Sequence, residues 1–209
     1  MGVRVDPASD TIRVDGKRIP PQRPHLYVVL NKPRGVVSTM EDPQGRPTVA
    51  DYLGNRGRLF HVGRLDADTT GLLLFSDDGQ FIHTYTSPKK EVPKVYEATV
   101  KHPLDAAQCS ALLAGVQLND EPAPIAAKAC AILGEHRLEL TVTEGKYHLV
   151  KRMVAAAGNR VEALHRRAVG NFELPADLAP GEWRWLGEDE LASLKTGLRV
   201  PLDSAAPAA

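Results

Sequence analysis

His61-Val62-Gly63-Arg64-Leu65-Asp66-Ala67-Asp68-Thr69-Thr70-Gly71-Leu72-Leu73-Leu74 sets two carboxylates, two threonines and two glycines between apolar residues. A polar loop that runs straight into an apolar segment is costly unless its groups are hydrogen-bonded. The stretch is therefore a candidate site as well as a structural joint. Its apolar end, residues 72–75, reads as a buried strand closed by Asp77-Asp78-Gly79. Upstream, residues 26–30 form a second continuous apolar run and hence a second buried strand. Asn31-Lys32-Pro33-Arg34-Gly35 after it must be a loop, because Pro and Gly interrupt both helix and strand. Thr48 before Val49-Ala50-Asp51-Tyr52-Leu53 and Gly54 marks a short helix, capped at one end and stopped at the other. Downstream, residues 94–101 alternate as a strand does, and residues 106–114 read as a helix ending at Gly115. Residues 137–142 alternate again, with Leu138, Leu140 and Val142 on one face. Residues 147–157 place Val150, Met153, Val154 and Ala157 at helical spacing before Gly158. Strands and helices mix without a βαβ rhythm, so the expected class is α+β with a largely antiparallel sheet.

Composition narrows the setting. The chain has 209 residues, 43% of them hydrophobic, which is the make-up of a globular protein with a core. No apolar run approaches the roughly 20 residues of a membrane helix, and the first residues lack the apolar stretch of a secretory signal. Cys109 and Cys130 form neither a disulfide framework nor a metal-binding pair by their spacing; they read as small buried apolar groups in a reduced, cytosolic protein. The 26 basic and 26 acidic residues cancel overall but not locally. Residues 1–36 carry seven basic against three acidic, residues 144–167 carry six against two, and residues 168–209 carry three against seven. Two basic stretches are compatible with RNA and equally with ordinary solvated faces. Residues 3–5 and 11–14 look like short strands, residues 20–24 like a stiff linker and residues 191–209 like a C-terminal tail.

Four readings of the central stretch compete. Asp66, Asp68, Thr70, Gly71 and Asp77 fall at positions 1, 3, 5, 6 and 12 of a calcium loop, without its final Glu or its flanking helices. Asp66 and Asp68 could be a glycosidase pair, although two acids from one short loop do not easily flank a glycosidic bond. A single carboxylate held by a cation would stay ionised and serve as a nucleophile, with Arg64, Lys151 and Arg152 as the available cations. Asp66 could also simply close a turn.

Gly63-Arg64-Leu65-Asp66-x-Asp68-Thr69-x-Gly71-Leu72 resembles the catalytic motif of RNA pseudouridine synthases, more narrowly the RsuA-type branch that acts on small-subunit ribosomal RNA. Leu30-Asn31-Lys32-Pro33-x-Gly35 is similar to the family's first motif. Thr86-Ser87-Pro88 and Lys94-Val95-Tyr96 resemble the segment with the active-site tyrosine, and Gly115-Val116-Gln117-Leu118 fits the turn that follows. Glu144-Gly145-Lys146-Tyr147-His148-Leu149-Val150-Lys151-Arg152-Met153 resembles the third motif. Leu164-His165-Arg166 and Leu178-Ala179-Pro180-Gly181-Glu182-Trp183-Arg184 match the end of the domain. These motifs occur in order over residues 25–186.

The resemblance implies a pseudouridine synthase fold: a mixed, mainly antiparallel sheet flanked by helices, with the catalytic loop in a central cleft. It implies a catalytic domain at residues 25–190, preceded at 1–24 by a remnant of the S4 RNA-binding module, most of which is missing. Asp66 becomes the nucleophile, Lys151 its partner with Arg152 as rival, and Tyr96 the ring that stacks on the uracil. Arg64 would fill the gap left by a flipped nucleotide or bind phosphate, and Lys32 would serve the loop or an RNA phosphate. Arg152, Leu149 and Val150 complete the substrate-facing set. Leu149 stands where relatives commonly carry Gln or Glu, so one polar contact of that motif is missing. Detaching uracil and rejoining it through carbon 5 involves neither redox change nor hydrolysis, so no cofactor or metal is implied. The implied partner is ribosomal RNA, 16S and its uridine 516 in the first instance, or a small-subunit assembly intermediate, met by a cytoplasmic monomer. A large-subunit (23S) enzyme and a non-catalytic rRNA-binding assembly factor are the alternatives.

Overall fold

The computed structural model describes residues 13–14, 17–18, 24–54, 56 and 58–196. The expected strand at 3–5, the linker at 20–23 and the end of the chain from 197 lie outside them. In chain order the elements are β1 (Arg13–Val14), β2 (Lys17–Arg18), β3 (Tyr27–Lys32), α1 (Val49–Leu53), β4 (Phe60–Val62), β5 (Thr69–Ser76), α2 (Gly79–Thr86) and β6 (Lys94–Val100). They continue with α3 (Ala106–Ala114), β7 (Ala129–Gly134), β8 (Arg137–Val142), α4 (Leu149–Ala156), β9 (Val161–Val169), β10 (Phe172–Glu173), β11 (Trp183–Trp185) and α5 (Glu188–Thr196). β1 pairs antiparallel with β2. The nine other strands form one open sheet, ordered β11-β3-β5-β9-β6-β8-β7, with β10 beside β9 and β4 beside β5. β5 and β9 run parallel, and the remaining pairs are antiparallel. The sheet is therefore mixed and mainly antiparallel, as expected.

β5 explains why the central stretch turns so abruptly apolar. Leu72 and Leu74 point to one face, where they join Phe81 and Tyr85 of α2 and Leu194 of α5. Leu73 and Phe75 point to the other, against Val28, Leu30 and the α1 residues Val49 and Leu53. A strand buried on both faces loses polar alternation. A third cluster packs α3 and α4 on β6, β8 and β9, through Leu112, Met153, Leu138, Leu140 and Leu164. It shares a sheet face with the α1 cluster, and Tyr96 touches both. Gly71 is required where β5 meets β9: its φ is +107°, and a Cβ there would overlap the Arg166 carbonyl oxygen.

Three expectations change. Asp77-Asp78-Gly79 does more than close β5, because Asp78 caps α2, accepting from the amides of Gln80 and Phe81 at 3.0 and 3.1 Å. The segment expected as tail from 191 begins inside α5, whose Leu194 is buried in the α2 cluster, so the folded body runs to at least residue 196. Cys109 and Cys130 are joined as a disulfide, Cα atoms 5.9 Å apart, tying α3 to β7. Their separation of 21 residues hides that α3 packs on that strand.

Candidate active site

The loop before β5 is held by its own backbone. Gly35 donates its amide to the Ala67 carbonyl at 2.7 Å, and Thr69 donates to that of Asp66 at 3.0 Å. The Ser38 hydroxyl donates to the Leu65 carbonyl at 2.7 Å and accepts from the Leu65 amide at 3.0 Å. Beneath the loop lies Lys32, at 0% exposure, whose ammonium donates to the carbonyls of Val36, Pro33 and Ala67 at 2.8, 3.0 and 3.3 Å. Burial pulls its pKa down to about 8, against the attraction of Asp68 and Asp66. The expected role at an RNA phosphate is thereby corrected. A side chain shut from solvent cannot meet RNA, and Lys32 instead braces the loop from below.

Asp66 is drawn toward α4. Its Oδ2 lies 3.3 Å from His148 Nε2 and 3.5 Å from Lys151 Nζ. Lys151 also donates to both oxygens of Asp68, at 2.7 and 2.9 Å, and so holds that carboxyl below its ordinary pKa. His148 caps α4 and Lys151 follows three residues later, so the two side chains share a face toward the loop. Arg152 is rotated about 100° away, pairs with Asp120 and donates to the Tyr147 carbonyl at 3.3 Å. Of the two candidate cations, Lys151 is the one that meets Asp66. Sequence reasoning gave His148 no role and did not pair Asp68 with Lys151. The spacing of His148 and Lys151 on one helical turn was the available signal.

Leu149 and Val150 are buried in the core under α4, and their expected contact with substrate is corrected accordingly. Apolar residues at the start of a helix whose other face carries His148 and Lys151 are the ones that anchor it. Arg64 is exposed and, among the described residues, makes no hydrogen bond or ion pair. Tyr96 is half-buried on β6, at a register shift opposite Arg166, between the two clusters of that sheet face. On the opposite face, a shallow cleft of about 130 Å³ is lined by Arg34, Asp68, Thr70, Glu97, Thr99 and His165, among others. His165 Nδ1 lies 2.8 Å from the Thr70 hydroxyl there.

Two of the competing readings fall on geometry. Thr70 and Gly71 are extended within β5, and Asp77 lies beyond its far end, bonded to the Leu26 amide at 2.8 Å, so the calcium positions do not converge. Asp66 and Asp68 both contact Lys151, which is the arrangement of a cation-held carboxylate and not of two acids standing on either side of a bond.

The sequence model described as RNA pseudouridylate synthase matches residues 26–156. Ribosomal small subunit pseudouridine synthase A of Yersinia pestis is 42% identical over 92% of this chain and 82% of its own length. Its Escherichia coli (strain K12) counterpart is 42% identical over 88% of this chain and 80% of its own. A crystal structure of a pseudouridylate synthase is 37% identical, with a TM-score of 0.77, covering 92% of this chain and 83% of that one. An H/ACA ribonucleoprotein bound to a substrate RNA, at 18% identity, shares the fold with a TM-score of 0.54 over 85% of this chain and 63% of its own. With the motif loop, the sheet and the family match all spanning the same body, the chain belongs to the RNA pseudouridine synthases, isomerases that act on RNA, on the RsuA-type branch.

Proposed function

We propose that the protein isomerises one uridine of ribosomal RNA to pseudouridine, in 16S RNA and at uridine 516, with Asp66 as the nucleophile. The observation that carries this reading is a half-buried Asp66 carboxylate on a braced loop, facing His148 and Lys151. The small-subunit names of the relatives support the 16S assignment. The target nucleotide is extruded, because a stacked base hides its reacting atoms. Asp66 attacks the ribose or the base, and the bond from N1 to the sugar breaks. The freed uracil turns and bonds to the sugar through C5, and the bond to Asp66 breaks, which returns the carboxylate. The C5 proton leaves and N1 gains one, so the product is an isomer of the substrate. Lys151 supplies the positive charge opposite both carboxylates as water is excluded. Tyr96 stacks on the uracil and assists loss of the C5 proton, while Arg64 fills the gap in the strand or binds phosphate.

The protein works as a monomer in the cytoplasm, on ribosomal RNA or on a small-subunit assembly intermediate. Pseudouridine mapping of ribosomal RNA from cells with and without the protein tests the reading. One 16S site disappears with the protein. Loss of a 23S site moves the target to the large subunit, and an unchanged map refutes the isomerase assignment.

A further inference from the structure

Tyr147 is 75% exposed, more than any other large hydrophobic residue among those described. Its ring is nonetheless fixed. It stacks on His148 with centroids 3.7 Å apart and planes 18° from parallel. The Tyr147 carbonyl takes the Arg152 guanidinium, and the neighbouring Lys146 is pinned by Glu121 and Glu144. His148 itself is left-handed, with φ at +48°, a conformation that residues with a Cβ rarely adopt and that gathers at functional sites. In this arrangement the imidazole meets Asp66 on its edge while the tyrosine ring lies flat over it. One face of Tyr147 is covered by His148, and the other is a bare aromatic surface one residue removed from the reacting carboxylate.

We propose that the free face of Tyr147 is a stacking platform for a nucleobase next to the uridine held at Asp66. The inference rests on the isomerase reading above and assigns a second base-binding position beside it. Flipping a nucleotide removes the stacking partner of its neighbour, and a flat, pre-ordered ring replaces that partner at little entropic cost. Stacking accepts any base, so the platform orders the strand without reading its sequence. The exposed Arg64, on the loop that carries Asp66, supplies positive charge for the backbone of the same strand.

The test uses the ribosomal RNA fragment that contains the mapped uridine, with 2-aminopurine placed in turn at its two flanking positions. With the intact protein, fluorescence at one flank is quenched on binding. Tyr147→Ala abolishes that quenching and lowers kcat/KM by about 5- to 150-fold, the range set by one lost base stack, with the loss mainly in KM. Tyr147→Phe keeps both quenching and KM, because the ring face and not the hydroxyl does the binding. Equal quenching in Tyr147→Ala and the intact protein overturns the platform, as does a Tyr147→Phe protein that behaves like Tyr147→Ala. If the fragment gains no pseudouridine with intact protein, the isomerase reading fails by itself. The same quenching comparison is then made on an octauridine carrying one internal 2-aminopurine, and its loss in Tyr147→Ala still upholds the platform.

Discussion

Two acidic pairs bracket β5, Asp66 with Asp68 at its start and Asp77 with Asp78 at its end, and they are satisfied in different ways. Asp77 accepts from the Leu26 amide at 2.8 Å and lies 3.2 Å from His25. Asp78 takes two amides of α2 and the Tyr27 hydroxyl at 2.7 Å, whose own pKa is raised by burial and by that carboxylate. Each member of the far pair is thus tied to at least one backbone amide, with a histidine or a tyrosine hydroxyl beside it. Asp66, by contrast, takes no backbone donor among the described residues; its contacts are two side chains from α4, 82 and 85 residues away in sequence. A carboxylate held by side chains on a separate element can exchange partners with a substrate, whereas one held by amides is part of the fold.

The sharpest way to break this contrast is to neutralise one acid from each end. Asp66→Asn abolishes pseudouridine formation while RNA affinity stays within about tenfold, or roughly 1.4 kcal/mol. Asp77→Asn keeps the rate. Single-turnover isomerisation and filter binding on the same RNA give both quantities. Equal loss in the two variants would erase the distinction between a working acid and a structural one. Next in size is the cation. Lys151→Met leaves Asp66 and Asp68 facing each other without their shared ammonium, and the single-turnover rate falls by about 10²- to 10³-fold. Lys151→Arg recovers part of it. An unchanged rate in Lys151→Met would show that His148 alone suffices to hold Asp66.

At the far end the effect is on stability. Asp78→Ala removes an N-cap and the acceptor of the buried Tyr27 hydroxyl, at a cost of roughly 1 to 2 kcal/mol from the cap alone. Urea unfolding shows a lower midpoint, and the isomerisation rate per folded molecule does not change. A rate loss without a midpoint shift would place Asp78 in the wrong class.

The same contrast explains what was legible in the sequence. Residues 72–75 could be read as buried because both faces of β5 are covered, α3 could be placed by the Gly115 that stops it, and β8 could be read from its alternation. α2 was hidden because Asp77-Asp78-Gly79 is both a turn signal and a helix start, and only the amides of Gln80 and Phe81 decide between them. β9 escaped because Val161–Val169 mixes buried Leu164 and Arg166 with exposed Glu162 and Ala163, without a clean apolar face. At the site, Asp66 and Lys151 stood out by motif. Of the two roles expected for Lys32, the loop and not an RNA phosphate is the one it fills, and the choice stayed open in the sequence because nothing local shows three carbonyls converging on it. His148 was signalled only by its spacing from Lys151, because the left-handed backbone that aims it is not advertised by residue type.

The smallest expected effect concerns Asp68, which belongs to the site by position and to the fold by its bonds. Lys151 lowers its pKa below the usual 3.8, so the pair stabilises the native state fully above that value. The contribution fades as pH falls through the folded-state pKa, where the native carboxylate also takes up its proton. Because the Asp68 side chain is 55% exposed, solvent screening limits the pair to about 1 kcal/mol or less. The native protein is therefore slightly more stable than Asp68→Asn at pH 6, and the difference shrinks as the solution is acidified through the folded-state pKa and in high salt. Denaturation midpoints followed from pH 6 into acid read this directly. A gap that stays constant on acidification and in high salt would mean that Asp68 acts through its packing or as a neutral hydrogen-bond acceptor, and would move it to the side of Asp77 and Asp78.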